Sequence, residues 1–146
     1  MDGLFHTSKA SDEGLSRNPE GRYDWGVHGT CFIPRKIADD SLNTAYYYSS
    51  GIETAGSAIK GICPVNLPNG AIISTAIVFG ADSADTWTLK RIKYDTGTVQ
   101  ILSSGTFNTQ DITISYSTID NLNYGYFFET GTVDDNIVGA RITYGR

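Results

Sequence analysis

Apolar residues recur at every second position over short stretches of this chain, and almost nowhere at the three-to-four spacing of an amphipathic helix. Tyr124, Tyr126 and Phe128 recur at period 2, and Ile112, Ile114 and Tyr116 alternate with polar neighbours. Val138, Ala140, Ile142 and Tyr144 repeat the pattern near the end. Between Ile72 and Phe79 both parities are apolar: Ile73, Ile77 and Phe79 point one way, and Ile72, Ala76 and Val78 the other. Such a strand belongs in the middle of a sheet with cover on each side. It is launched by Leu67-Pro-Asn-Gly70, where Pro fixes φ and Asn and Gly accept φ > 0.

Further strands are expected at Tyr23 to Val27, Thr30 to Ile33, Ala45 to Ser49, Ala58 to Val65 and Thr86 to Tyr94. Gly51 to Gly56 reads as a turn, Asp95-Thr-Gly97 as a hairpin turn and Ser103 to Gln110 as a link. Trp87 and Leu89 are expected inward, with a register change before Ile92, and Val99 and Ile101 inward on the next strand. About nine short strands at roughly ten-residue spacing predict an all-β domain, an antiparallel β-sandwich of jelly-roll type. Only Asp39 to Tyr47 offers a competing helix, and it ends in a run of tyrosines.

Residues 1–22 break the pattern. They mix charges with Gly, Ser, Asn and Pro and show no sustained period, which predicts an extended N-terminal arm ahead of a domain at 23–146. Leu4, Phe5 and Leu15 are its sizeable apolar anchors. Such an arm becomes ordered by lying on its own domain or on a neighbouring subunit.

Composition narrows the function. The chain is 40% hydrophobic but only 18% charged, a low share that suits a surface facing other protein or sugar. With net charge −5 and scattered Lys and Arg, nucleic-acid binding is not expected. The tightest basic group, Lys90, Arg91 and Lys93, reads as the solvated face of a strand. No run is long enough to span a membrane, and the N-terminus lacks the apolar core of a signal peptide.

Candidate chemistry is sparse. No Gly-x-Ser-x-Gly elbow and no phosphate-binding glycine loop occurs, and the two histidines, His6 and His28, lack partners in pattern, so no catalytic residue and no cofactor is expected. Glu129 reads as a solvent-facing or ion-paired side chain. The acidic pairs Asp39-Asp40, Asp82…Asp85 and Asp134-Asp135 fall in loops without calcium-loop spacing, so no metal site is expected. Cys31 and Cys63 are either two separate thiols or a disulfide between strands; spacing leaves both open. Tyr47, Tyr124 and Tyr126 could stack on sugar rings, although half of each alternating strand must be core.

Four segments carry a resemblance: Cys63-Pro-Val-Asn-Leu-Pro-Asn-Gly-Ala-Ile-Ile73, Trp87-Thr-Leu-Lys-Arg91, Ile119-Asp-Asn-Leu-Asn-Tyr-Gly-Tyr-Phe-Phe128 and Ile137-Val-Gly-Ala-Arg-Ile-Thr-Tyr144. They resemble a small β-sandwich module of bacterial and phage proteins of mostly unassigned function. The architecture of an arm followed by a sandwich also looks like phage capsid decoration proteins. That resemblance implies a non-enzymatic virion component made in the host cytoplasm. It implies self-association, with a trimer favoured, and a major capsid protein as a possible partner. The competing expectation is an extracellular or cell-surface carbohydrate-binding or adhesin module using the tyrosines.

Overall fold

The structure, a computed structural model, describes residues 21–35, 45–48, 50–54 and 59–146. Among these the chain is all-β. Ten strands form: β1 (Tyr23–His28), β2 (Ile33–Arg35), β3 (Ala45–Tyr48), β4 (Gly51–Thr54), β5 (Lys60–Val65), β6 (Ile72–Gly80), β7 (Thr86–Lys93), β8 (Val99–Thr106), β9 (Tyr124–Thr130) and β10 (Asn136–Gly145). A single 3₁₀ turn, Gly29–Cys31, links the first two. The strands pair into two antiparallel sheets, the sandwich expected from the sequence.

In the first sheet β10 is the spine. It pairs along its length with β6 on one side, and with β1 and then β4 on the other; β3 closes the edge. The second sheet runs β2-β5-β9-β7-β8. Their inner faces meet in one core holding Phe32, Trp87, Leu89, Phe128, Ile137 and Ile142, none more than 1% exposed. Phe128 is its aromatic hub, with Trp87 edge-on at 5.8 Å and Trp25 and Phe32 at 6.3 and 6.4 Å.

Bulges set which residues face this core. Ser74 is the extra residue between the pairs Tyr144–Ile73 and Thr143–Thr75, so the inward set switches from Ile73 to Ala76 and Val78. Val138 is likewise extra in β10 and is 43% exposed rather than inward. Close approach explains two glycines beside that bulge. A Cβ on Gly29 or on Gly51, the latter at φ +125°, would strike the Ile137 carbonyl.

Several expectations are corrected. Gly51 opens a strand, β4, because its φ lets the chain turn out of β3 and pair immediately. Ser103 to Gln110 is no link: β8 runs to Thr106, and Phe107 beyond it is wholly buried. Val99 and Ile101 are 47% and 53% exposed, because Leu102 is the extra residue between the pairs Lys90–Ile101 and Leu89–Ser103. That bulge lies in β8, while inward parity in β7 runs unbroken through Trp87, Leu89 and Arg91.

Ile112 to Tyr116 forms no strand. Ile112 is 72% exposed, Tyr116 adopts φ +50°, and the segment touches β6 only at isolated bridges, Ala76–Asp111 and Ile72–Thr118. Asp111 fastens it to β8, accepting from the Ser103 hydroxyl (2.7 Å) and the Ser104 and Thr113 amides. Farther on, Asn121 ties the 119–123 turn to the Leu67–Gly70 turn: its amide N–H donates to Asn69 Oδ1 and its side chain to the Leu67 carbonyl, both at 2.8 Å.

The arm residues Leu4, Phe5 and Leu15 lie outside the described residues, as do His6 and Asp39-Asp40.

Candidate functional site

Two features stand out on the second sheet: its outer face and one end of it. Antiparallel register puts directly opposed residues on one face. On the outer face Ile33 opposes Ile62, Pro64 opposes Phe127, Phe127 opposes Lys90, Lys90 opposes Ile101, and Ile92 opposes Val99. Seven of these eight distinct side chains are apolar, and the same registers add Glu129, Thr88 and Ser104 to this face. Ile33 is 59% exposed and Ile101 53%, while Ile62, Phe127 and Ile92 are half-buried. A contiguous apolar patch open to solvent marks an interaction surface more often than scattered apolar residues do. One ion pair crosses it, Lys90 Nζ to Glu129 Oε1 at 2.6 Å. This places Glu129 as an ion-paired residue, one of its two expected environments.

At the end of the same sheet sits Arg91, only 9% exposed. The expectation of a solvated basic face thus fails for Arg91, which shares inward parity with Trp87 and Leu89. Its guanidinium lies between two aromatic faces, 3.8 Å from the Tyr124 ring centroid and 4.2 Å from that of Tyr116. Arg91 Nε donates to Gln100 Oε1 at 2.7 Å. Among the described residues no carboxylate stands within salt-bridge distance of Arg91. Beside this assembly a cleft of about 280 Å³ is lined by Lys93, Thr96, Thr98, Gln100 and Tyr124.

Tyr126, the third tyrosine read as a possible platform, is 6% exposed, and its hydroxyl accepts from the Asp120 amide at 3.0 Å. Asp120 in turn accepts from the Asn123 side chain and the Leu122 amide, and these bonds, with the Arg91 charge adding to them, hold its carboxyl below the usual range. Tyr47 belongs to β3, and its side chain lies outside the described residues. Of the candidate tyrosines, Tyr124 is the one that lines the cleft.

Cys31 is exposed and Cys63 buried, and both are free thiols. Burial, with the neighbouring Cys31 in second place, pushes the Cys63 thiol up to about 12, so it persists as an unreactive thiol at neutral pH. His28 caps the 3₁₀ turn, its Nδ1 accepting from the Thr30 amide.

The loops after β6 and β9 bring together what spacing did not reveal. Carboxylate oxygens of Asp82, Asp85 and Asp134 lie within 4.8 Å of one another, and these are the described residues that could hold a cation. Asp85 Oδ2 and Asn136 Oδ1 are buried without a hydrogen-bond partner. Burial first, then the charges of Asp82, Asp134 and Asp135, raises the Asp85 carboxyl above its ordinary range.

Among the described residues no helix is long and apolar enough to cross a membrane. Comparison with protein-family models, with curated proteins and with solved structures returned no match, so the functional reading rests on the surfaces described above.

Proposed function

We propose that this chain is a non-enzymatic structural protein that self-associates through the outer face of its second sheet. The observation that carries the reading is the open apolar row of Ile33, Ile62, Pro64, Phe127, Ile101, Ile92 and Val99. Burying such a face against a second copy yields roughly 25 cal/mol per Å² of apolar surface removed from water. A stable interface of ordinary size needs about 800 Å² from each partner. Residues 1–22 act as an arm on the neighbouring subunit, with Leu4, Phe5 and Leu15 as anchors. The setting proposed is the coat or decoration layer of a virion, with a closed trimer as the assembled form.

Light scattering on the full chain, and on a chain lacking residues 1–22, tests this reading. An oligomer that falls to monomer without the arm supports it. Monomers in both samples at tens of micromolar, or equal assembly in both, would overturn the role given to the arm.

A further inference from the structure

We propose that the cleft at the β7–β8 turn binds a small carboxylate-bearing, polyhydroxylated ligand, a sugar acid in chemical class. This does not rest on the assembly reading, since the cleft lies at the end of the sheet and uses different residues.

The wall of the cleft presents donors. Gln100 Oε1 is engaged by Arg91 Nε, which fixes the amide orientation and leaves the Gln100 NH₂ as the group available to a ligand. Lys93 brings an ammonium whose nearest carboxylate, Asp95, is 3.9 Å away on a largely exposed side chain. Thr96 and Thr98 share a hydroxyl–hydroxyl bond of 2.9 Å and can give or accept further ones. The complement of an ammonium, an amide NH₂ and hydroxyls is an anion that also carries hydroxyl groups. At about 280 Å³ the cleft falls at the small end of ligand sites, room for one ring rather than a chain.

Behind this wall stands the second observation. A guanidinium is a permanent cation, and buried charges are ordinarily paired with an opposite charge. Arg91, 9% exposed, has two tyrosine faces and a neutral amide as its direct partners, and the Asp120 carboxylate feels its charge from beyond salt-bridge distance. One of those faces belongs to Tyr116, held at φ +50°, a backbone region unusual for a bulky residue and concentrated at ligand clamps. Arg91 does not line the cleft. It is a positioning residue: it fixes the Tyr124 ring and the Gln100 amide, and its charge, which also acts on the Asp120 carboxylate, adds to that of Lys93 beside the cleft. A single accessible ammonium matches a monovalent carboxylate better than a phosphate dianion.

The test is a titration of the isotope-labelled full chain with D-glucuronate, followed by amide and side-chain NMR shifts, with D-glucose and inorganic phosphate in parallel. Glucuronate should give saturable shifts at Lys93, Thr98, Gln100 and Tyr124, with a Kd on the order of 1 mM. Glucose should bind at least tenfold more weakly, and phosphate no better than glucose. Lys93→Met should weaken glucuronate binding at least tenfold. Gln100→Glu keeps an acceptor for Arg91 and so keeps the fold, but it replaces the donor amide with a carboxylate and should abolish binding. No saturable shift with glucuronate, equal response to glucose, stronger binding of phosphate, or full binding by a folded Gln100→Glu variant would each overturn the proposal.

Discussion

The two faces of the second sheet are built from the same kinds of residue and meet opposite fates. Its inner face carries Cys63, Val65, Trp87, Leu89, Tyr126 and Phe128, all buried against the first sheet. Its outer face carries Ile33, Ile62, Pro64, Phe127, Ile92, Ile101 and Val99, half-buried or exposed, around the polar Thr88, Lys90, Ser104 and Glu129. Antiparallel sheets commonly show water a polar face, and the first sheet does so in part: Thr143 donates to Asp24 at 2.8 Å, and Arg141, opposite Ile77, lies over the Phe79 ring at 5.5 Å. The contrast teaches that apolar content on a strand reports demand for cover without saying who supplies it. On the inner face the chain covers itself; on the outer face, we propose, another copy does.

The largest expected effect lies inside. Phe128→Ala removes the hub that Trp25, Phe32 and Trp87 surround and should cost about 3–5 kcal/mol, read by chemical denaturation. A loss below about 1 kcal/mol would break the distinction between the faces from the inner side. Next comes the outer face itself. Phe127→Ser, one residue away, should leave stability within about 1 kcal/mol of the parent while weakening self-association at least tenfold, seen by sedimentation. Unfolding of this variant would mean that the outer face is already core.

Smaller effects sharpen the picture. Lys90→Met removes the ammonium 2.6 Å from Glu129, on a pair whose side chains are 22% and 15% exposed. It should lower monomer stability by about 1 kcal/mol, between the values for surface and buried pairs. On the first sheet, Thr143→Val loses one hydrogen bond to Asp24, should cost roughly 1 kcal/mol or less, and should leave assembly untouched.

The smallest effects are in pH, and they have opposite signs. Although burial pushes the Asp111 carboxyl up, hydrogen bonds from Ser103 and from the Thr113, Ser104 and Ile112 amides outweigh it and leave the carboxyl below 3.8. Its contribution is therefore present above pH 3.8 and lost as pH falls through the lowered folded value. Asp85 is raised, so its contribution is present below pH 3.8 and lost as pH climbs through the raised value. Asp85→Asn should then raise the melting temperature at pH 7 and give no advantage below pH 3.8. Asp111→Asn should lower it at pH 7, with the deficit shrinking in acid.

Much of the fold was legible. Period 2 identified most strands, and Asn69-Gly70 and Gly97 turn as expected, with φ +85° at Gly70 and +72° at Gly97. What failed were inferences of side rather than of strand. Alternation shows that Val99 and Ile101 share a face but not which one, and the Leu102 bulge decides it. Ile112 to Tyr116 alternates convincingly, yet Asp111 and the left-handed Tyr116 hold it irregular. Of the cleft, Tyr124 was in view. Arg91 hid inside a basic cluster, and only its parity with Trp87 and Leu89 could have shown it facing inward. The aspartate group was hidden by sequence distance, since Asp134 meets Asp82 and Asp85 across about fifty residues.

One measurement bears most directly on the outer face: the solution mass of the full chain beside an Ile33→Glu, Ile101→Glu variant, by light scattering over a concentration series. The parent should be an oligomer and the variant a folded monomer, with unchanged circular dichroism. The same mass for both would contradict it.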